Sequence, residues 1–409
     1  MKPKLRWLCR MVLALCFLAH IAPQAAWAQG MAGAGFVPRP SALSHPNPPS
    51  GTRPLGEGIP AGYTPGFRFA VWGDMLAFCD EFGASPVLRV HAMQGGELVP
   101  VAAYAESAPV IDLVLDAHGL AYLTGDRWTE HETTLVTISP DGTQHRVPLG
   151  STAFTYVEYP GSLARLTDGR LLLVDGDGTL RVCEADGSGM RQVTDAPVRS
   201  FAYSAPYVYF THLADMAVYE DVYSYEYGEY LDVPYPRLYR TRLDGTDTER
   251  MTEGGVRGLA AWGPHVLYQD IDDAFVWPYG ELPEEWLCGR VARLDTSTGQ
   301  RTSLGLDSGC YYLTAYGPVA WVYDASADSG GNPAREGYAE GFALVLHDWY
   351  GNPLCRLAAD PLLWWEDMVY FAADDALWVW DYADGQYTLS AIPLDGSDTR
   401  VLGSFPGDQ

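Results

Sequence analysis

Seven times between Phe67 and Phe405 the chain returns to the same two-part unit, and that periodicity constrains its fold more than any other feature. The first half is a small turn feeding a β-branched and aromatic run. It is seen in Trp72-Gly73-Asp74-Met75-Leu76, Asp116-Ala117-His118-Gly119-Leu120 and Thr167-Asp168-Gly169-Arg170-Leu171. It returns in Tyr203-Ser204-Ala205-Pro206-Tyr207, Trp262-Gly263-Pro264-His265-Val266, Tyr316-Gly317-Pro318-Val319 and Trp365-Glu366-Asp367-Met368-Val369. The second half alternates apolar and polar residues into a hairpin and out again, as in Leu180-Arg181-Val182-Cys183-Glu184-Ala185-Asp186-Gly187-Ser188. Asp-Gly there predicts two-residue hairpin turns, because both residue types tolerate positive φ.

Units begin near residues 67, 107, 151, 197, 255, 307 and 361. Each spans roughly 40–58 residues and encodes four short strands, which is the arithmetic of a propeller blade. A β-helix needs shorter repeats, and a helical solenoid needs a 3.6-residue period that is absent. The expectation is an all-β propeller of four-stranded antiparallel blades over 67–405. Seven blades are favoured, with six plus one divergent unit as the alternative.

The run Tyr239-Arg240-x-x-Leu243-Asp244-Gly245-Thr246 resembles the low-density-lipoprotein-receptor-type and TolB-type propellers. It is most similar to a bacterial domain-of-unknown-function family described as resembling the receptor-related propeller. That resemblance implies secretion or surface display and a binding or scaffolding role, with no catalytic residues. The receptor-type Tyr-Trp-Thr-Asp tetrapeptide is missing, so no endocytic function is implied.

The ends and the composition point to a compartment. Lys2, Lys4, Arg6 and Arg10 precede an apolar run from Met11 to Ala22 and the small-x-small site Ala26-Trp27-Ala28. This predicts a cleaved secretory signal over residues 1–28 and a secreted or cell-surface protein. No later stretch is apolar enough for a membrane helix. Residues 29–66 hold eight prolines and eight glycines and read as a flexible leader, and 406–409 as a tail. Cys79, Cys183, Cys288, Cys310 and Cys355 show no C-x-x-C spacing, so a zinc site is not expected. Pairing among the last three and buried thiols are both open. The chain carries 52 acidic against 26 basic residues and no lysine after Lys4. Nucleic acid is thereby excluded as a partner, and every lysine-based chemistry with it. A monomer is expected.

The connection between second and third strands is short in the third unit, Asp175–Thr179, and long in the fourth (about 211–236), fifth (269–287) and sixth (324–340). A smaller version is expected at 374–386. Long loops on one face of a rigid scaffold are where recognition is usually carried. Between Asp215 and Pro236 the fourth holds Tyr219, Tyr223, Tyr225, Tyr227, Tyr230 and Tyr235 among Asp215, Glu220, Asp221, Glu226, Glu229 and Asp232, with no base. The fifth adds Trp277, Tyr279 and Trp286, and the seventh Trp378 and Trp380. Aromatic faces beside carboxylates suit a glycan by stacking or a cationic protein segment by cation–π attraction and charge. The plain alternative is that the aromatics pack the loops together and the acids only solvate them.

No organic cofactor is expected. Asp270, Asp272 and Asp273 are the candidate ligands of a structural calcium. Asp175-x-Asp177-x-Thr179 opens like a calcium loop, but Leu180 occupies the sharp-turn position, which favours a plain turn. Motifs for nucleophile elbows, zincins and dinucleotide loops are absent, so the reading is non-enzymatic. The rival readings are a carbohydrate-active enzyme using carboxylates of the same face and a structural spacer of the cell envelope.

Overall fold

The computed structural model describes residues 63–65, 69–72, 75–80, 86–94, 97–125, 132–151, 162–224, 229–274, 289–306, 311–314, 317–323, 342–358, 371–373, 376–383, 386–393 and 400–406. The signal reading and most of the leader therefore lie outside the described residues. So do Cys288, Cys310 and the sixth-unit loop.

Every element among the described residues is a strand, and every pairing is antiparallel. After β1 (Tyr63–Pro65), one sheet is β2 (Phe69–Trp72), β3 (Met75–Asp80), β4 (Val87–Gln94) and β5 (Glu97–Ala105). The next is β6 (Val110–Asp116), β7 (Gly119–Thr124), β8 (Glu132–Ile138) and β9 (Gln144–Ser151). An eight-stranded sheet follows. It joins β1 to β10 (Leu163–Leu166), β11 (Leu171–Val174), β12 (Thr179–Cys183), β13 (Arg191–Ser204), β14 (Tyr207–Ser224), β15 (Glu229–Arg242) and β16 (Glu249–Arg250). Then come β17 (Val256–Trp262), β18 (His265–Ala274), β19 (Gly289–Asp295) and β20 (Gln300–Ser303). A further sheet is β21 (Tyr311–Thr314), β22 (Gly317–Tyr323), β23 (Phe342–His347) and β24 (Pro353–Ala358). The last is β25 (Phe371–Ala373), β26 (Ala376–Ala383), β27 (Gln386–Pro393) and β28 (Arg400–Pro406).

This is an all-β propeller of four-stranded antiparallel blades. The eight-stranded sheet arises because β13 serves twice. Its first half pairs with β12 as an outer strand, and Val198–Ser204 pairs with β14 as an inner one. Inner strands of successive sheets touch, β2 against β6, β6 against β10, β13 against β17 and β17 against β21. The first and last sheets meet through β2 with β25 and β5 with β28. Contiguous apolar runs make this possible: β10 and β11 are buried along their whole length, as strands sandwiched between two neighbouring sheets must be.

Two expectations about local structure change. Among the described residues the Asp-Gly hairpins are not two-residue turns. In Ser139–Thr143 the Ser139 N–H donates to the Thr143 carbonyl and the Gly142 N–H to the Ser139 carbonyl, at 3.0 and 2.8 Å. The same pair of bonds recurs at 166–170, 184–188, 242–246 and 348–352. These are three-residue loops in which the glycine alone takes positive φ, +85° at Gly142 and +79° at Gly245. The aspartate keeps negative φ and instead accepts from the N–H two residues on, as Asp141 does from Thr143 and Asp244 from Thr246. The second change is in the seventh unit. Its first turn lies between β25 and β26, so Trp378 and Trp380 belong to a strand, opposite Ala391 and Leu389, rather than to a loop. Residues 365–370, read as the turn and strand opening that unit, lie outside the described residues.

Within the stretch read as a leader, Tyr63–Pro65 pairs with Leu166–Ala164 on the inner edge of β10. An inner strand has one ladder edge left open toward the ring centre, and β1 fills part of it.

At the start of β7, Gly119 has φ +100°, and a Cβ there would stand 2.2 Å from the Ile138 carbonyl oxygen. Gly317 holds the equivalent place in β22, with φ +140° and the His347 oxygen at 2.2 Å. Gly119→Ala is expected to cost roughly 1–3 kcal/mol from backbone strain alone, before the clash is relieved. Urea unfolding measures it, and an unchanged midpoint would contradict the geometry.

Candidate functional site

The fourth-unit connection is not a loop. β14 and β15 run on past the blade as a two-stranded ribbon, pairing from Met216 with Pro236 out to Ser224 with Glu229. Alternating aromatic and β-branched residues on both strands make this ribbon, and the sequence reading missed it because the acids interrupt the apolar pattern.

Two bulges shape the ribbon. At its base, His212 and Met216 on β14 oppose the consecutive Arg237 and Pro236, leaving residues 213–215 extra. Asp215 sits in that bulge and is held by Arg237 Nη1 and by the Tyr239 hydroxyl at 2.5 Å, with Arg250 at 3.8 Å. Hydrogen bonds from Tyr239 and then Arg237 keep its carboxyl below the usual aspartate range. Arg237 also donates to the Met216 and Glu253 carbonyls at 2.8 and 2.6 Å. A bulge increases local twist and re-aims the strand. Here the turned ribbon lies against the start of β17.

That contact is built from Tyr219, Tyr235 and two glycines. The Tyr219 hydroxyl donates to Asp272 Oδ1 at 2.6 Å and accepts from the Gly255 N–H at 2.8 Å. Its ring meets the buried Tyr235 edge-on at 5.9 Å. A Cβ on Gly254 would stand 2.1 Å from Asp272, and one on Gly255 2.5 Å from Tyr235 Cβ, so only glycine permits this approach. Burial, and then the bond to Asp272, raises the Tyr219 hydroxyl above the ordinary tyrosine value.

The three candidate calcium ligands lie beside this seam, and two of them face cations of the chain itself. Asp270 is buried and pairs with Arg301; burial pushes its carboxyl up despite that partner. Asp273 pairs with Arg290 at 2.8 Å and Arg301 at 3.4 Å, and Asp272 takes the Tyr219 hydroxyl. Among the described residues no group of three or more His, Cys, Asp or Glu side chains is arranged to hold a metal ion. Asp175 is likewise spent internally, on the Asp177 and Thr179 N–H groups, the Thr179 hydroxyl and Arg181.

The outer side of the ribbon differs. Val218 and Tyr230 are 58% and 67% exposed, and Glu220, Asp232 and Pro234 are exposed with them. At the second bulge Glu220 and Asp221 stand opposite Asp232 alone, between the pairs Tyr219–Val233 and Val222–Leu231. No ion pair reaches Glu220 or Asp232 among the described residues. Tyr223 is cross-strand from Tyr230. Tyr225, Tyr227, Trp277, Tyr279 and Trp286 lie outside the described residues. The proposed aromatic set thus divides into Tyr219, which packs the seam, and Tyr223 with Tyr230 at the ribbon's far end. Sequence reasoning missed Arg237, Arg290 and Arg301. Arg237 stands one residue beyond the base-free window, and the other two lie on adjacent strands.

The described groups offer little nucleophilic chemistry. Burial, then the nearby acids, pushes the Cys183 thiol up to about 12, which keeps it protonated. Burial lowers His91, His265 and His347, each on a different sheet.

Acid should weaken the fold. Asp141 is held down to about 2, foremost by the Ser139 hydroxyl, and Asp168, Asp215, Asp244 and Asp295 also fall below the usual value. A carboxyl depressed in the folded state adds stability that is complete above its unfolded pKa and lost as pH falls through the folded one. The thermal midpoint is therefore expected to fall between about pH 4 and about pH 2. A flat profile over that window would contradict these turn contacts.

No family model matches the chain, and no curated protein matches it. Solved structures similar to it include a puromycin hydrolase complexed with PGG, at 13% identity over 87% of this chain and TM-score 0.47. This chain spans 55% of that hydrolase's length. TolB from Acinetobacter baumannii is similar at 10% identity, over 81% of this chain and 79% of that one, with TM-score 0.39. The nidogen/laminin complex is similar at 10% identity, over 67% and 94%, with TM-score 0.32. No functional residue is carried over from any of them, and the resemblance to a domain-of-unknown-function family gains no support from the family search.

Proposed function

We propose that this chain is a non-catalytic recognition propeller, acting outside the cytoplasm, that engages its partner through the outer side of the β14–β15 ribbon. One observation carries this reading. The acids facing the blade (Asp215, Asp270, Asp273) are answered by arginines, whereas Glu220 and Asp232 on the outer side have none among the described residues. The paired acids hold the seam, and the outer pair is left free to meet a cationic partner. Like charges facing each other across a ribbon cost stability, and such local conflicts are expected where a surface serves binding.

The test is to screen the purified protein against glycan and peptide arrays while following polysaccharide reducing ends in parallel. Binding without product, reduced by substitutions at Tyr230 and Glu220, is the expected result. Release of product would overturn the non-catalytic reading. Binding insensitive to both substitutions would overturn the ribbon.

A further inference from the structure

Among the described residues the ribbon leaves two backbone edges unpaired. Among the described strands, β13 pairs with β14 no further than His212, and β16 pairs with β15 only at Tyr239 and Arg240. From residue 213 to 224 the far edge of β14 therefore meets no other strand, and neither does the far edge of β15 from 229 to 236. The two edges are not equivalent. β15 carries Pro234 and Pro236, which have no N–H to donate to a ladder. β14 carries no proline along its length.

An open, proline-free strand edge is a template for another strand. What decides its occupant is charge. The bulge places the exposed Glu220 opposite Asp232, and the whole chain has a formal net charge of −26, so a second copy of this protein is repelled. A basic strand is drawn in by the same field. Bulged acids also relieve their own mutual repulsion when a cation lies between them.

We propose that the β14 edge is a strand-addition site for an extended, cationic protein segment, which pairs with backbone from about residue 216 to 224 and places its basic side chains over Glu220 and Asp232. This rests on the ribbon being the recognition surface and specifies its ligand. Backbone hydrogen bonds supply the affinity, and the acids and the exposed Val218 select alternate side chains of the incoming strand.

Three labelled twelve-residue peptides test it by fluorescence anisotropy with the intact protein. One alternates Lys and Val; the second alternates Glu and Val; the third is the Lys–Val peptide with every backbone amide N-methylated, which keeps the charge but cannot donate to a ladder. The Lys–Val peptide is expected to bind, the Glu–Val peptide not to bind, and the N-methylated version to bind at least tenfold more weakly. In the bound complex, backbone amides of β14 should gain hydrogen-exchange protection while those of β15 stay unchanged. Equal binding of the two cationic peptides would overturn strand addition and leave charge alone. If neither cationic peptide binds while a glycan does, and Tyr230→Ala abolishes that glycan binding, the strand-addition proposal falls and the ribbon reading stands. If no probe responds to changes in the ribbon, both fall.

Discussion

Glu220→Lys combined with Asp232→Lys is expected to weaken binding of a cationic partner by on the order of 100-fold, because two attractive contacts become repulsive ones. The same pair should leave folding almost untouched. Both residues are exposed and make no ion pair within the described chain, and surface changes of that kind stay within about 0.5 kcal/mol. A slight gain in stability is the physical expectation, since the substitutions remove carboxylates that oppose each other across the bulge. Binding by titration calorimetry at low and moderate salt separates the effect from unfolding, and the wild-type affinity should decline with added salt. Unchanged affinity in the double variant would remove charge from the account.

Arg146→Ala is expected to cause one of the largest losses of stability available from a half-exposed side chain. Arg146 grips Glu106 with two hydrogen bonds, at 3.0 and 2.6 Å, and the Glu106 side chain is only 1% exposed. The Tyr122 hydroxyl, fully buried, donates to the same carboxylate at 2.7 Å. This cluster fastens the connection between the first two blades to β7 and β9. Removing the arginine strands a buried charge with one hydroxyl partner, a change that costs about 3–5 kcal/mol. Glu106→Gln in the Arg146→Ala background should recover part of the loss, because a neutral amide needs no counter-ion. Chemical denaturation of the two variants measures both, and the absence of any recovery would show that packing of the arginine, not its charge, was what mattered.

How much of this was legible beforehand differs between backbone and surface. Blade boundaries followed from turn residues and apolar runs, since Gly119, Gly169 and Gly317 stand where strand pairing leaves room for nothing larger or demands positive φ. The hairpin type was misread because Asp-Gly suits both turn classes; which one forms depends on whether Asp141 takes positive φ or spends its carboxylate on Thr143. Trp378 and Trp380 were misplaced for a similar reason, as a strand signature and a loop of aromatics have the same composition.

The site was legible only as a region. Counting tyrosines and acids between 215 and 236 located the ribbon but could not sort its faces. Sorting required knowing that two bulges shift the alternation and that Arg237, Arg290 and Arg301 come from outside the window. Deleting Val218–Leu231 would take away more than the exposed far end of the ribbon. It would remove Tyr219 from its bonds to Asp272 and Gly255.

The cut must therefore spare Tyr219. Replacing residues 220–232 with Asn-Gly joins Tyr219 directly to its cross-strand neighbour Val233 through a two-residue turn. Affinity and thermal midpoint of this shortened protein, measured side by side against the intact one, test the ribbon most directly. The account predicts that binding disappears while the midpoint moves by no more than about 2–4 °C. Binding that persists at full strength on the shortened protein would contradict it.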